Sequence, residues 1–424
     1  MPVWVVASSA SVLAVANGAA EVYGLRGRLL YKVFSRLGPS WWSIQALRIL
    51  GFVITVGWWV RTLAIKRSGA NVSDIFVGFG GGPESQMYRE FEVESDRQVV
   101  YVDQTNPASL AIVARPHLGS LISNVWSQAA IVVQTLRRSP AAAVNRNLDL
   151  WLTSAAIRFC AYVYARAWAG ALGPSVSRIV FTSPDIPAFA ALEILKRSGG
   201  PTVEFRQHGL LQHSISIPGF DKIVALNVPE AEHLQSRSPS SVVTVRLLPR
   251  SESRAPRGRT ILFASVNSFA EFDKTNHISV IREVVAWTFE QGFKLVVRPH
   301  PRESDGFWES NFPVIELDKS SGRFQDCLVR WNPMFVISWF STTLVDALGG
   351  NVLPIFIRQG SEYILPDLVF PLEKLAFAWP SDRYALDKLA GSPEAYQQVL
   401  DERRRFAFGE CGLSADADNA NSRS

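Results

Sequence analysis

The chain has 424 residues, 47% of them hydrophobic and 19% charged, with a formal net charge of +5. That length implies two domains rather than one core, and the composition excludes a disordered chain. The positive charge is weak and dispersed, with no Lys/Arg run interleaved with aromatics. This argues against a nucleic-acid binder and suits an anionic small substrate or an anionic membrane surface.

Val3–Ala7 is an apolar run that reads as a buried first strand. A turn at Ser8 and Ser9 follows, then a helix over Ser11–Tyr23. The start lacks the positive charge that precedes the apolar stretch of a signal peptide, so the expectation is a mature cytoplasmic chain. Cys160, Cys327 and Cys411 are isolated, which points to a reducing compartment and away from structural zinc. The six histidines form no metal-binding spacing, and no metal is expected.

Leu47–Ile65 holds an apolar stretch bracketed by Arg48 and Arg61. Roughly twelve apolar residues are too few for a bilayer, which needs about 20. Two readings remain: a buried core helix carrying Trp58 and Trp59, or peripheral contact with an anionic membrane through its tryptophans and arginines.

Strand-like runs then alternate with helical ones. Asp74–Gly78 precedes Gly80-Gly81-Gly82, and Gln98–Val102 ends at Asp103. Leu148–Ala169 reads as a long helix. Arg178–Thr182, Thr202–Arg206 and Lys222–Leu226 read as strands, with helices from Ser183 to about Arg197 and over Pro229–Gln235. Pro249–Arg259 is a polar linker, after which the pattern restarts. Thr260–Ser265, Lys294–Arg298, Val314–Glu316, Phe335–Phe340 and Leu353–Ile357 are predicted strands. Ile278–Gln291, Thr343–Leu348 and Pro393–Arg405 are predicted helices. Such alternation implies parallel βαβ units. The expected domains are 1–248 and 260–410, with a disordered tail over 411–424.

Ligands of open parallel sheets bind beyond the carboxyl ends of strands. Three predicted strands end in chemistry-bearing residues. Gln207-His208-Gly209 offers a general base at neutral pH, or a histidine bonded to a nearby carbonyl. Glu204 shares a strand face with Arg206 and is not an obvious partner for His208. In Arg298-Pro299-His300-Pro301-Arg302, two prolines fix the backbone around an imidazole and two arginines suit phosphate oxygens. The bland reading is a turn histidine. Ser341-Thr342-Thr343 opens a helix, where hydroxyls and N–H groups hold either a phosphate or the helix end itself. Asp103 is a rival base, or a turn residue.

Taken together, these motifs resemble bacterial surface-polysaccharide transferases of the GT-B fold. His208-Gly209, His300-Pro301 and Phe340-Ser341-Thr342-Thr343-Leu344-Val345-Asp346 are similar to elements of the CDP-glycerol glycerophosphotransferase family. Val3–Ser9, with Leu13 and Asn17, resembles the start of bacterial sialyltransferases, a group joined by polysialyltransferases and capsule Kdo transferases. Trp339 departs from the aspartate usual in the first family. The acidic motif of polysialyltransferases is absent, Asp103-Gln104-Thr105 being at best a degraded version.

The resemblance implies two Rossmann-like α/β domains facing a central cleft. It implies a CMP- or CDP-linked donor on the C-terminal domain, with His300, Ser341 and Thr342 at the phosphates. It places a glycan or lipid-linked acceptor on the N-terminal domain, with His208 as base. The expected enzyme is a metal-independent glycosyltransferase of capsule or lipopolysaccharide type, cytoplasmic or peripheral at the inner membrane face. The alternatives are a CDP-alcohol polyol-phosphate transferase, a non-catalytic scaffold of a glycan assembly complex and, more distantly, a nucleotide-sugar epimerase.

Overall fold

The structure is a computed structural model. It describes residues 41–65, 72–78, 83–103, 107–137, 160–184, 186–196, 199–213, 217, 219–246, 258–266, 274–300, 306–320, 323–339, 341–359 and 367–409. The expected first strand and helix, the linker over 249–257 and the tail lie outside these residues.

In the first part, α1 is Trp41–Leu63, β1 Asp74–Gly78, α2 Pro83–Glu94 and β2 Val99–Asp103. Next come a 3-10 turn at Pro107–Ile112, α3 at Leu118–Arg137 and α4 over 160–169. Then follow β3 Arg178–Phe181, α5 Ile186–Leu195, β4 Thr202–Arg206, β5 Lys222–Ala225, α6 Val228–Arg237 and β6 Val242–Val245. The six strands lie in the order β2-β1-β3-β4-β5-β6, and the pairs β1–β2, β1–β3 and β3–β4 are parallel. Every residue of β1 is buried, as expected for a central parallel strand covered on both faces.

The second part restarts with β7 at Thr260–Ala264, then α7 Lys274–Glu290, β8 Lys294–Arg298, α8 Phe307–Asn311, β9 Glu316–Leu317 and α9 Phe324–Trp331. It continues through β10 Phe335–Ser338, α10 Thr343–Gly349, β11 Leu353–Ile357, α11 Leu372–Leu375, β12 Phe377–Trp379, α12 Arg383–Ala390 and α13 Pro393–Phe408. Its strand order is β12-β11-β10-β7-β8-β9, every pair parallel. Counted from β7, this is the doubly wound order 3-2-1-4-5-6 of dinucleotide-binding folds, with its switch point between β7 and β10. The expected pair of Rossmann-like α/β sheets is therefore present.

By internal packing the chain forms two compact units. The first comprises Met1–Arg206, Ser214–Ile223 and Ser238–Val242; the second comprises Gln207–His213, Val224–Arg237 and Val243–Ser424. The second unit's core gathers Phe263, Trp287, Trp308, Phe335, Trp339 and Trp379 around its sheet. α13 starts at Ser392, whose hydroxyl accepts from Ala395 N, with Pro393 at the first helical position. From α13 the Tyr396 hydroxyl donates to Met334 O and accepts from Leu353 N, tying the starts of β10 and β11 together.

α1 is 23 residues long, longer than the apolar stretch suggested. Among the described residues, no helix is long and apolar enough to cross a membrane. Trp58 meets Tyr164 edge-on at 5.9 Å, and Trp59 Nε1 donates to Pro116 O. Both tryptophans are half-buried and make these packing contacts. A different stripe faces outward: Ile49, Val53 and Val60 are 63%, 60% and 53% exposed, beside Phe52 and Leu63.

Candidate active site

The second unit's site is built by its topology. Phe263 of β7 pairs with Ile337 of β10, and Ala264 pairs with Arg298 of β8. The carboxyl ends of these three adjacent parallel strands are therefore level. Ser338 Oγ, fully buried, donates to Ala264 O and locks β10 to β7 at that edge. His300 lies two residues beyond β8, and Ser341 lies three beyond β10. The sheet thus brings the His-Pro turn and the hydroxyl triplet to one edge, at and beside the switch point.

Within the triplet, Ser341 Oγ accepts from Thr343 N at 3.3 Å and from Thr343 Oγ1 at 2.9 Å. Thr342 holds the N-cap position of α10 but makes no side-chain cap bond. Ser341 therefore performs the turn-forming task that the plain reading assigned to the cap, and all three side chains remain part-exposed.

Arg298 does not stand alone. Its Nη1 lies 3.7 Å from the Asp318 carboxylate and donates to Arg323 O. Asp318 also accepts from Arg330 Nη1 at 2.9 Å. Burial alone would raise the Asp318 carboxyl, but donors from Cys327 and Ser320 and the Arg298 charge hold it at about 2. Arg302 lies outside the described residues. Trp339 is buried, meeting Phe263 edge-on at 5.4 Å and donating to Gln359 O. The aromatic at the family's acidic position is accordingly a core residue.

The first sheet ends differently. Glu204 and Arg206 do share a strand face: Arg206 Nε donates to Glu204 Oε1 at 2.7 Å. Arg178 also pairs with Glu204, Arg206 pairs with Glu94, and both guanidinium groups lie over the Phe91 ring at 4.4 and 4.9 Å. This cluster pairs the buried Glu204 carboxylate with two guanidinium groups.

Asp103 ends β2, the edge strand, and the order β2-β1-β3-β4 puts it three strands from the end of β4. At about 4.8 Å per strand, that is about 14 Å.

His208 is half-buried in the loop Gln207–His213. Gly209 does not adopt a positive φ, and a Cβ there would meet nothing within 4 Å. The loop is shaped instead by side chains. Gln207 Nε2 donates to Gly209 O and to Glu230 Oε2, while Leu211 N donates to Glu230 Oε1. Asn227 Nδ2 donates to Glu230 Oε2, and Glu230 N donates to Asn227 Oδ1. Burial pushes the Glu230 carboxyl up to about 7, against the pull of these donors. Glu230 escaped the sequence reading. Its signal was Asn227-Val228-Pro229-Glu230, a capping residue followed three positions later by glutamate.

No protein-family profile matches the chain, and no curated protein matches it in sequence. Solved structures share its architecture at a distance. A variant of the wall teichoic acid polymerase TagF is 12% identical over 90% of this chain and 98% of that one, with a TM-score of 0.46. MnaA from S. aureus, solved with UDP, is 13% identical over 81% and 94%, TM-score 0.43. The UDP-GlcNAc 2-epimerase of Neisseria meningitidis, bound to UDP-GlcNAc, is 10% identical over 82% and 99%, TM-score 0.46. The likeness stops at architecture. At these scores it carries no argument about chemistry.

Proposed function

We propose that the chain is a GT-B glycosyltransferase that moves a sugar from a nucleotide-activated, CMP-linked donor to a bacterial surface glycan of capsule or lipopolysaccharide type. One observation carries the reading: His300 and Ser341-Thr342-Thr343 share the carboxyl edge of a 3-2-1-4-5-6 sheet, at and beside its switch point. In this reading the triplet and His300 hold the donor's phosphate. Arg298, from its pair with Asp318, and Arg302 lend positive charge to the leaving nucleotide, so that no metal is needed. His208 removes the acceptor's proton. Asp103, a separate strand end, is the weaker base.

The functional test is transfer from CMP-sugars to glycan or lipid-linked acceptors. His208→Ala abolishes transfer while keeping nucleotide affinity, and EDTA leaves wild-type transfer unchanged. Loss of nucleotide binding in that variant, with the fold intact, contradicts the assignment of roles. Phosphorus retained in the product reports a polyol-phosphate transferase using a CDP-alcohol instead. The exposed stripe of α1, with Arg61 at its end, supports peripheral contact with an anionic membrane, which would bring a lipid-linked acceptor close.

A further inference from the structure

The loop that carries His208 is fastened on both sides of the histidine by one carboxylate. Glu230 is fully buried at the third position of α6. Its Oε2 accepts from Gln207 Nε2 at 2.7 Å, one residue before His208, and its Oε1 accepts from Leu211 N at 2.7 Å, three residues after. Asn227 supplies a third donor at 2.6 Å. The Gln207 and Leu211 bonds hold the loop to the first turn of α6, where a helix start favours an anion, and the Asn227 bond, local to the helix start, steadies the carboxylate. Gln207 is itself fixed, its N donating to Val224 O and its Oε1 accepting from Leu226 N. Beyond Leu211 the chain is held from another side: Val369 N donates to Leu211 O, His213 N donates to Asp367 O, and Gln212 bridges Leu368.

We infer that Glu230 is the positioning residue of the catalytic loop: its carboxylate sets the backbone on either side of His208 and thereby the aim of the imidazole. The inference rests on the reading of His208 as base. The argument is one of chemistry as much as of geometry. The three bonds to the carboxylate all come from N–H donors, so a carboxylate is the group that satisfies them. An amide in its place would turn an NH2 toward one of these donors and release either the Gln207 or the Leu211 side of the loop. Burial disfavours the charged carboxylate, and the three N–H donors are what offset it. Holding a base within a few tenths of an ångström of its working position is a large part of what such sites contribute to rate.

The test uses the full chain with Glu230→Gln and Glu230→Asp, read by two independent measurements. Hydrogen exchange over residues 207–213 reports the fastening whether or not any reaction occurs. Steady-state transfer from a CMP-sugar reports its consequence. Glu230→Gln is expected to speed exchange at Leu211 and to lower kcat ten- to a hundredfold, with donor KM within twofold of wild type. Glu230→Asp keeps the charge and is expected to recover part of the lost kcat. Unchanged exchange in Glu230→Gln overturns the inference, as does faster exchange with unchanged kcat. A kcat loss matched by an equal loss of donor affinity also overturns it, since it marks general damage to the fold. If wild type transfers no sugar from any nucleotide donor, the transferase reading fails. That failure is recognised by its absence of turnover while loop exchange still responds to the variants.

Discussion

Asp318 shows how a single residue contributes stability at the carboxyl end of β8 in the second sheet. It is buried and faces Arg298 and Arg330, and its carboxyl is held at about 2, below its ordinary 3.8. A lowered folded-state value means that its contribution is fully present above 3.8 and disappears as the pH falls through 2. The shift corresponds to about 2 kcal/mol, and removing one member of a buried ion pair leaves the other unmatched. Asp318→Asn is therefore expected to lose at least about 2 kcal/mol at pH 7 in urea denaturation, with the gap to wild type closing between pH 4 and 2. A gap that stays constant with pH would show that Asp318 stabilises by packing and not by charge. Sequence spacing pointed to Arg298 but not to this partner, twenty residues downstream and across β9. Glu230 was hidden for the same reason, because its meaning comes from Gln207 and Leu211 on a different element. The placement of His208, His300 and Ser341 just beyond strands was legible because a strand end followed by a turn residue is a local pattern.

At the scale of elements, the buried strands were the most readable part of the chain. β1, β4, β8 and β11 match their expected spans to the residue apart from the ends of neighbouring strands, since continuous apolar runs bounded by turns leave little choice. α2 went unread because its face is interrupted by charged residues, one of which, Glu94, finds its partner Arg206 only in three dimensions; α9 and α12, two turns each, are too short for their helical spacing to stand out. α1 was read only in part. Its outward stripe at 49, 53, 60 and 63 follows helical spacing, but Trp58 and Trp59, which drew attention in the sequence, lie on the packed face. Ile49→Glu with Val53→Glu is expected to reduce co-sedimentation with anionic liposomes at least tenfold while leaving thermal stability close to wild type. Equal sedimentation of the variant and wild type would remove the membrane role from this stripe.

For the whole molecule, the repeat of architecture was visible as two runs of alternating strand and helix, and the two sheets bear it out. The division of residues between the compact units was not visible. Gln207–His213 belongs to the second unit although β4, which leads into it, belongs to the first, and the boundary at Ile223/Val224 falls within β5. Hydrogen bonds from Gln207 and Leu211 to Glu230 of α6, from His213 N to Asp367 O, and from Val369 N to Leu211 O accompany that membership. The His208 loop thus belongs to the same compact unit as His300 and Ser341-Thr342-Thr343.

The central claim is that the carboxyl edge of β8, β7 and β10 holds the phosphate of a nucleotide donor. Calorimetric titration of the full chain with CMP, CDP, UDP and GDP tests it most directly, with His300→Ala and Ser341→Ala alongside. The account predicts cytidine-selective binding that weakens at least tenfold in each variant while both stay folded. Binding unaffected by either substitution would contradict it, and no binding of any nucleotide by the folded wild type would favour a non-catalytic scaffold.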